Sequence, residues 1–133
     1  MFKIDKIIFE KNLYYKNHLL LKYTIEYPKI TGIPYSYQIQ KFNHFYQMNA
    51  IELKLYAERD LFEDAKKIFE YNTNNNLPFF NYELFSNYTI TYNKDSIISL
   101  FSNKYIYAGG AHGSTQRTSQ TWNMNQNYHQ PEL

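Results

Sequence analysis

The stretch Leu19-Leu20-Leu21-Lys22-Tyr23-Thr24-Ile25-Glu26-Tyr27-Pro28 decides how this chain is read. Leu19, Leu21, Tyr23, Ile25 and Tyr27 alternate with Leu20, Lys22, Thr24 and Glu26. Successive side chains of a strand point to opposite faces, so a period of two predicts a half-buried strand. Pro28 is expected to end it, with Gly32 and Pro34 marking a turn. From Ser36 the period changes. Ile39, Phe42, Tyr46, Ala50, Leu53, Ala57, Leu61, Ala65 and Ile68 recur at steps of three and four, which is helical spacing. Ser36 is the N-cap candidate. A helix from Ser36 to about Tyr71 would be about 50 Å long, so a break near Arg59-Asp60 is expected.

Working outward, Phe2 to Phe9 reads as a partly exposed first strand and Asn12 to His18 as a polar connection. The run Asn72 to Asn76 ends the helix, because asparagine prefers turns and the left-handed region. Beyond Pro78, Tyr88, Ile90 and Tyr92 alternate with Asn87, Thr89 and Thr91. A turn at Asn93-Lys94-Asp95 and a return strand over Ser96 to Ala108 complete a hairpin. Gly109-Gly110-Ala111-His112-Gly113 breaks that strand, and Thr115 to Met124 reads as an edge strand. The predicted class is therefore α+β: an antiparallel sheet packed against one long amphipathic helix, in a single domain over residues 1–124. Residues 125–133 are expected to be a frayed polar tail.

Composition bounds the function. The chain has 133 residues, 44% of them hydrophobic and 20% aromatic, enough to bury a core as one domain. It has no cysteine, which removes disulfides, thiolate metal sites and a cysteine nucleophile. A net charge of +2, with Arg59 and Arg117 the only arginines, argues against nucleic acid as a partner. No apolar run is long enough for membrane insertion, and no signal peptide opens the chain, which on its own suggests the cytoplasm. His18, His44, His112 and His129 do not stand at ligand spacing, so neither a metal nor another cofactor is expected. Glu58, Asp60, Glu63, Asp64 and Glu70, with Lys66 and Lys67, read as a solvated helix face.

The segment Tyr107-Ala108-Gly109-Gly110-Ala111-His112-Gly113 resembles a bacterial domain of unknown function. That domain occurs in the extracytoplasmic parts of PdaC-like peptidoglycan deacetylases and RsiV-like anti-sigma factors, and in small proteins of Firmicutes. The likeness runs from about Ile4 to Asn123 and includes Tyr27 to Ile33, Asn43 and the Tyr92-Asn93 hairpin. Relatives usually continue through an Asp-x-x-Thr-Gly turn into a partner domain. Here Trp122-Asn123-Met124-Asn125-Gln126 stands in its place, and the chain stops at Leu133. The resemblance implies a non-catalytic, cell-envelope recognition module, and hence an extracytoplasmic setting. Its implied partners are a peptidoglycan glycan or a protein such as lysozyme.

His112 is the foremost candidate for a ligand contact, presented by Gly109 and Gly110; the alternative is a histidine that hydrogen-bonds its own loop. Ser114 would share a face with His112 on an extended chain, which is the basis of a hydrolase reading. Tyr35, Tyr37, Tyr105, Tyr107 and Trp122 would line a binding surface, since flat rings stack on sugars. Three readings stay open: a binding module without chemistry, a structural domain that packs against a second one, and a small hydrolase using His112 and Ser114.

Overall fold

In the computed structural model, which describes residues 1–34, 36–110 and 113–125, β1 (Lys3–Tyr15) and β2 (His18–Thr31) form a long antiparallel hairpin. Its turn is Lys16-Asn17, with φ of 50° and 65°, the double left-handed geometry that matches strand twist. The polar connection expected over Asn12 to His18 is thus mostly strand. Leu13 and Tyr15 are half-buried against the core and alternate with the exposed Asn12 and Tyr14, as a strand requires. A second turn of the same kind, Asp95-Ser96, joins β3 (Tyr82–Lys94) to β4 (Ile97–Tyr107). β5 (Ser114–Asn123) completes a sheet of order β1-β2-β3-β4-β5.

One pairing departs from the predicted antiparallel sheet. β2 and β3 run parallel, over Leu21–Ile25 and Tyr82–Ser86 only. The helix between them returns the chain to the end where β2 began, which makes the next strand parallel. After Ile25 and Ser86 the two strands part, and this splay creates the space described below.

The splay also explains Pro28. It does not end β2 but lies fully buried within it, paired with Lys6 of β1. With β3 gone, one side of β2 needs no proline N–H. Two residues on, the same free side is closed by a side chain. Asn43 Oδ1 accepts from the Ile30 N–H at 2.8 Å, and Asn43 Nδ2 donates to the Ile30 carbonyl at 3.1 Å. Asn93 does the same for Phe2, at 3.0 and 2.8 Å, tying the start of β1 to the end of β3.

The helix is continuous: α1 (Tyr37–Tyr56) passes through a π turn (Ala57–Leu61) into α2 (Phe62–Asn74). Ser36 caps it, its hydroxyl accepting from the Ile39 N–H at 3.2 Å. No break occurs at Arg59-Asp60. The π turn instead absorbs one extra residue, which offsets roughly 100° of drift in a stripe of four-residue steps. Ala57, Leu61, Ala65 and Phe69 thereby stay buried, whereas the predicted Ile68 is 39% exposed. The helical acids are also less solvated than expected. Glu58 accepts from Tyr23 Oη at 3.0 Å, Asp64 from Tyr82 Oη at 2.6 Å and Glu70 from Tyr15 Oη at 2.8 Å. Burial, with Glu58 second, pushes the Tyr23 phenol up to about 12, so it remains a donor at physiological pH. Asp60 and Glu63 are exposed as expected, Glu63 paired with Lys66 one turn on.

Candidate functional site

Between α1 and the splayed sheet lies a groove of about 450 Å³. Its floor follows from register. Ser86 of β3, Lys104 of β4 and Gln116 of β5 stand side by side, and Ser102 stands beside Thr118. On β4 the residues facing the helix are Ile98, Leu100, Ser102, Lys104 and Ile106; the first two are buried core. The apolar row is therefore interrupted at Ser102 and Lys104, where the groove replaces packing. Its walls are β2, with Tyr27 and Glu26, and α1, with Asn49, Leu53 and Tyr56.

One end of the groove is closed by a polar relay inside an aromatic cluster. Trp122 Nε1–H donates to Tyr46 Oη at 2.8 Å, and Tyr46 Oη donates to Gln120 Oε1 at 3.0 Å. The Trp122 ring lies 5.3 Å from Phe42 and 5.5 Å from Phe45, both edge-on, and 5.9 Å from Tyr46. Burial pushes the Tyr46 phenol up to about 12, partly offset by the indole donor, so it stays a neutral link. Trp122 therefore supports the lining residues Tyr46 and Gln120 from behind.

The other proposed contacts separate. Ser114 opens β5 opposite Ile106, on the groove side and exposed. Tyr105 and Tyr107 alternate with Lys104 and Ile106, so they face away from the groove. Gly109 adopts a φ of +81°, as its glycine identity allows, close to the Tyr82 ring. Gly110 is exposed beside it. Tyr37 is exposed at the helix start beneath Lys41. His112, Ala111 and Tyr35 lie outside the described residues, as do residues 126–133, so the His112–Ser114 pair cannot be placed. Among the described residues no group of acids and histidines is arranged to hold a metal ion, and no helix is long and apolar enough to cross a membrane.

Gly113 has a steric role. A Cβ there would overlap the far end of the Tyr105 ring, so the ring approaches the backbone that enters β5 as only glycine allows. Gly113→Ala is expected to displace Tyr105 and lower stability by about 1–3 kcal/mol in urea unfolding. An unchanged midpoint would show that the ring is free to move.

Ser102, Lys104, Gln116, Thr118 and Tyr56 were not singled out by sequence reasoning. The legible signal was the polar pair Ser102 and Lys104 within the apolar row Ile98, Leu100 and Ile106. Its meaning depends on strand partners that are distant in the chain.

Comparison with known proteins places the chain. Residues 15–115 match the family model described as Deacetylase PdaC. A member of the DUF3298 family from Bacteroides fragilis superposes with a TM-score of 0.74 at 14% identity, over 92% of this chain and 56% of that one. A DUF3298 family protein from Pseudomonas aeruginosa PAO1 gives 0.50 at 14% identity, over 93% and 52%. At such identities the likeness is one of fold, and the chain spans about half the length of these structures. No curated protein matches it. With the family model covering most of its length, the chain belongs to the PdaC family.

Proposed function

We propose that this domain is a non-catalytic recognition module of a cell-envelope protein, and that its groove binds a peptidoglycan glycan. The observation that carries the reading is the groove's chemistry. Its floor offers the hydroxyls of Ser86, Ser102 and Thr118 and the amides of Gln116 and Gln120, with Tyr56 on the rim. Hydroxyls and amides both donate and accept, as sugar hydroxyls and N-acetyl groups require. A partly exposed ring on one wall offers an apolar face for a sugar to stack against. Small polar residues at positions that would otherwise be core are a poor choice for packing alone. The family's description as a deacetylase is compatible with a division of labour in which this domain holds an N-acetylated glycan and the chemistry lies elsewhere.

The test is an amide NMR titration of the labelled domain with soluble peptidoglycan fragments. Saturable shifts are expected at Ser86, Ser102, Gln116 and Thr118. A spectrum that stays unchanged at millimolar fragment would overturn the reading and leave a protein partner as the occupant.

A further inference from the structure

β5 is an edge of the sheet, paired with β4 on one side only. Sheet edges commonly carry charges, prolines or bulges that discourage a further strand. β1, the opposite edge, has such devices: Lys3, Asp5, Lys6, Glu10 and Lys11, and a register shift between Leu13 and Tyr14. β5 lacks them apart from Arg117. It pairs with β4 without a register shift, and from Ser114 to Asn123 it holds no proline, no lysine and no acid.

One hydrogen bond fixes which backbone groups of β5 stay free. The Met124 N–H donates to the Ser96 carbonyl at 2.7 Å, one step beyond the last β4–β5 pair. Hydrogen-bonded pairs alternate along an antiparallel ladder, so Trp122, Gln120, Thr118 and Gln116 turn their backbone groups to β4. Thr115, Arg117, Ser119 and Thr121 turn theirs outward. Their side chains lie on the sheet face away from the helix, because the alternate residues Trp122 and Gln120 meet Tyr46. Arg117 stands in the middle of this edge and is held there. Its guanidinium lies 4.2 Å from the Phe101 ring centroid, and its Nε–H donates to Asn103 Oδ1 at 2.8 Å. The two terminal nitrogens remain as a fork that suits a carboxylate. Among the described residues no acid lies within ion-pair reach of it.

We infer that the free edge of β5 accepts an extended segment of a protein partner, one that carries an aspartate or glutamate opposite Arg117. The added strand pairs with the outward backbone groups of Thr115, Arg117, Ser119 and Thr121, which supplies affinity without regard to sequence. The residue directly opposite Arg117 shares its face, so a carboxylate there meets the guanidinium and sets the register. A second copy of the chain is the poorer occupant. Two β5 strands paired about a two-fold axis would set Arg117 against a neutral side chain or another arginine. The edge lies outside the groove, so the proposal is independent of the glycan reading.

The experiment follows amide hydrogen exchange of the labelled domain by NMR, alone and with two blocked heptapeptides. Both alternate threonine and valine, one around a central glutamate and the other around a central glutamine. In the free domain the Arg117 and Ser119 amides are expected to exchange fast and those of Thr118 and Gln120 slowly. The glutamate peptide at millimolar concentration should slow the outward amides. The glutamine peptide should bind about fivefold more weakly, the effect of one well-ordered but exposed ion pair. Arg117→Gln should make the two peptides equal. Ser119→Pro removes an outward N–H and leaves the ladder to β4 intact, so it should abolish protection by either peptide. Amide spectra that overlay the wild type away from β5 confirm the fold of both variants. Outward amides that neither peptide protects would overturn the proposal, as would equal protection by both in the wild type. Protection that grows with protein concentration in the absence of peptide would also overturn it, by making a second copy the occupant.

Discussion

Trp122→Ala is expected to destabilise the domain by about 3 kcal/mol, near the lower end for removing a large aromatic side chain because Trp122 is only half-buried. The ring meets Phe42, Phe45 and Tyr46, and its Nε1–H is the donor that starts the relay through Tyr46 to Gln120. Truncation opens a void against Phe42, which is fully buried. It also unpins α1 from β5, two elements joined by few other side chains. Trp122→Phe keeps most of the packing and loses the donor, so about 1 kcal/mol is expected. Urea unfolding followed by far-ultraviolet circular dichroism checks both, since the chain's single tryptophan is the residue removed. Unchanged stability together with lost glycan affinity would instead make Trp122 a ligand contact.

Asn43→Ala is expected to cost about 2–4 kcal/mol. Asn43 sits on a helix, yet its amide serves as one peptide of a missing strand, meeting both backbone groups of Ile30, a residue 3% exposed. Alanine leaves that N–H and carbonyl without their partner, and each unsatisfied group costs about 1–3 kcal/mol when water cannot replace the bond. Asn43→Asp separates the two halves of the contact. The carboxylate still accepts from the N–H but faces the Ile30 carbonyl with no donor, so it should recover only part of the loss. Equilibrium urea unfolding with an unchanged slope is the measurement. Asn43→Ala within 0.5 kcal/mol of wild type, a margin typical of unremarkable surface changes, would show that the free edge of β2 is adequately solvated.

The residues that were legible in the sequence share one property: their signal is local. Leu19, Leu21, Tyr23, Ile25 and Tyr27 were marked as one face by alternation; the last four are buried, but Leu19 is half-buried and Leu20, set on the opposite face, is fully buried where the β1–β2 register shifts. Ile39, Phe42, Tyr46 and Ala50 were marked by helical spacing and are buried as well. The stripe was misread at Ile68 because a π turn changes the phase without any residue that announces it. Pro28 was misread because proline ends a strand only where the side its N–H would face carries a partner strand, and β3 has left that side of β2 after Ile25. Tyr105, Tyr107 and Trp122 were grouped as one surface, but strand alternation and the length of β5 distribute them over two faces and two ends.

The sequence by itself determined the elements and their order, because amphipathic period, capping and turn chemistry act over a few residues at a time. Only the tertiary structure decided that β2 and β3 pair in parallel for a short stretch and then part. The groove exists because of that parting, and its chemistry comes from strands far apart in the chain. Whether Arg117 has a ring beneath it and an amide to hold it depends on which residues lie beside it across the β4–β5 pairing. No local pattern carries that information, since the partners of a side chain are set by what surrounds it in space.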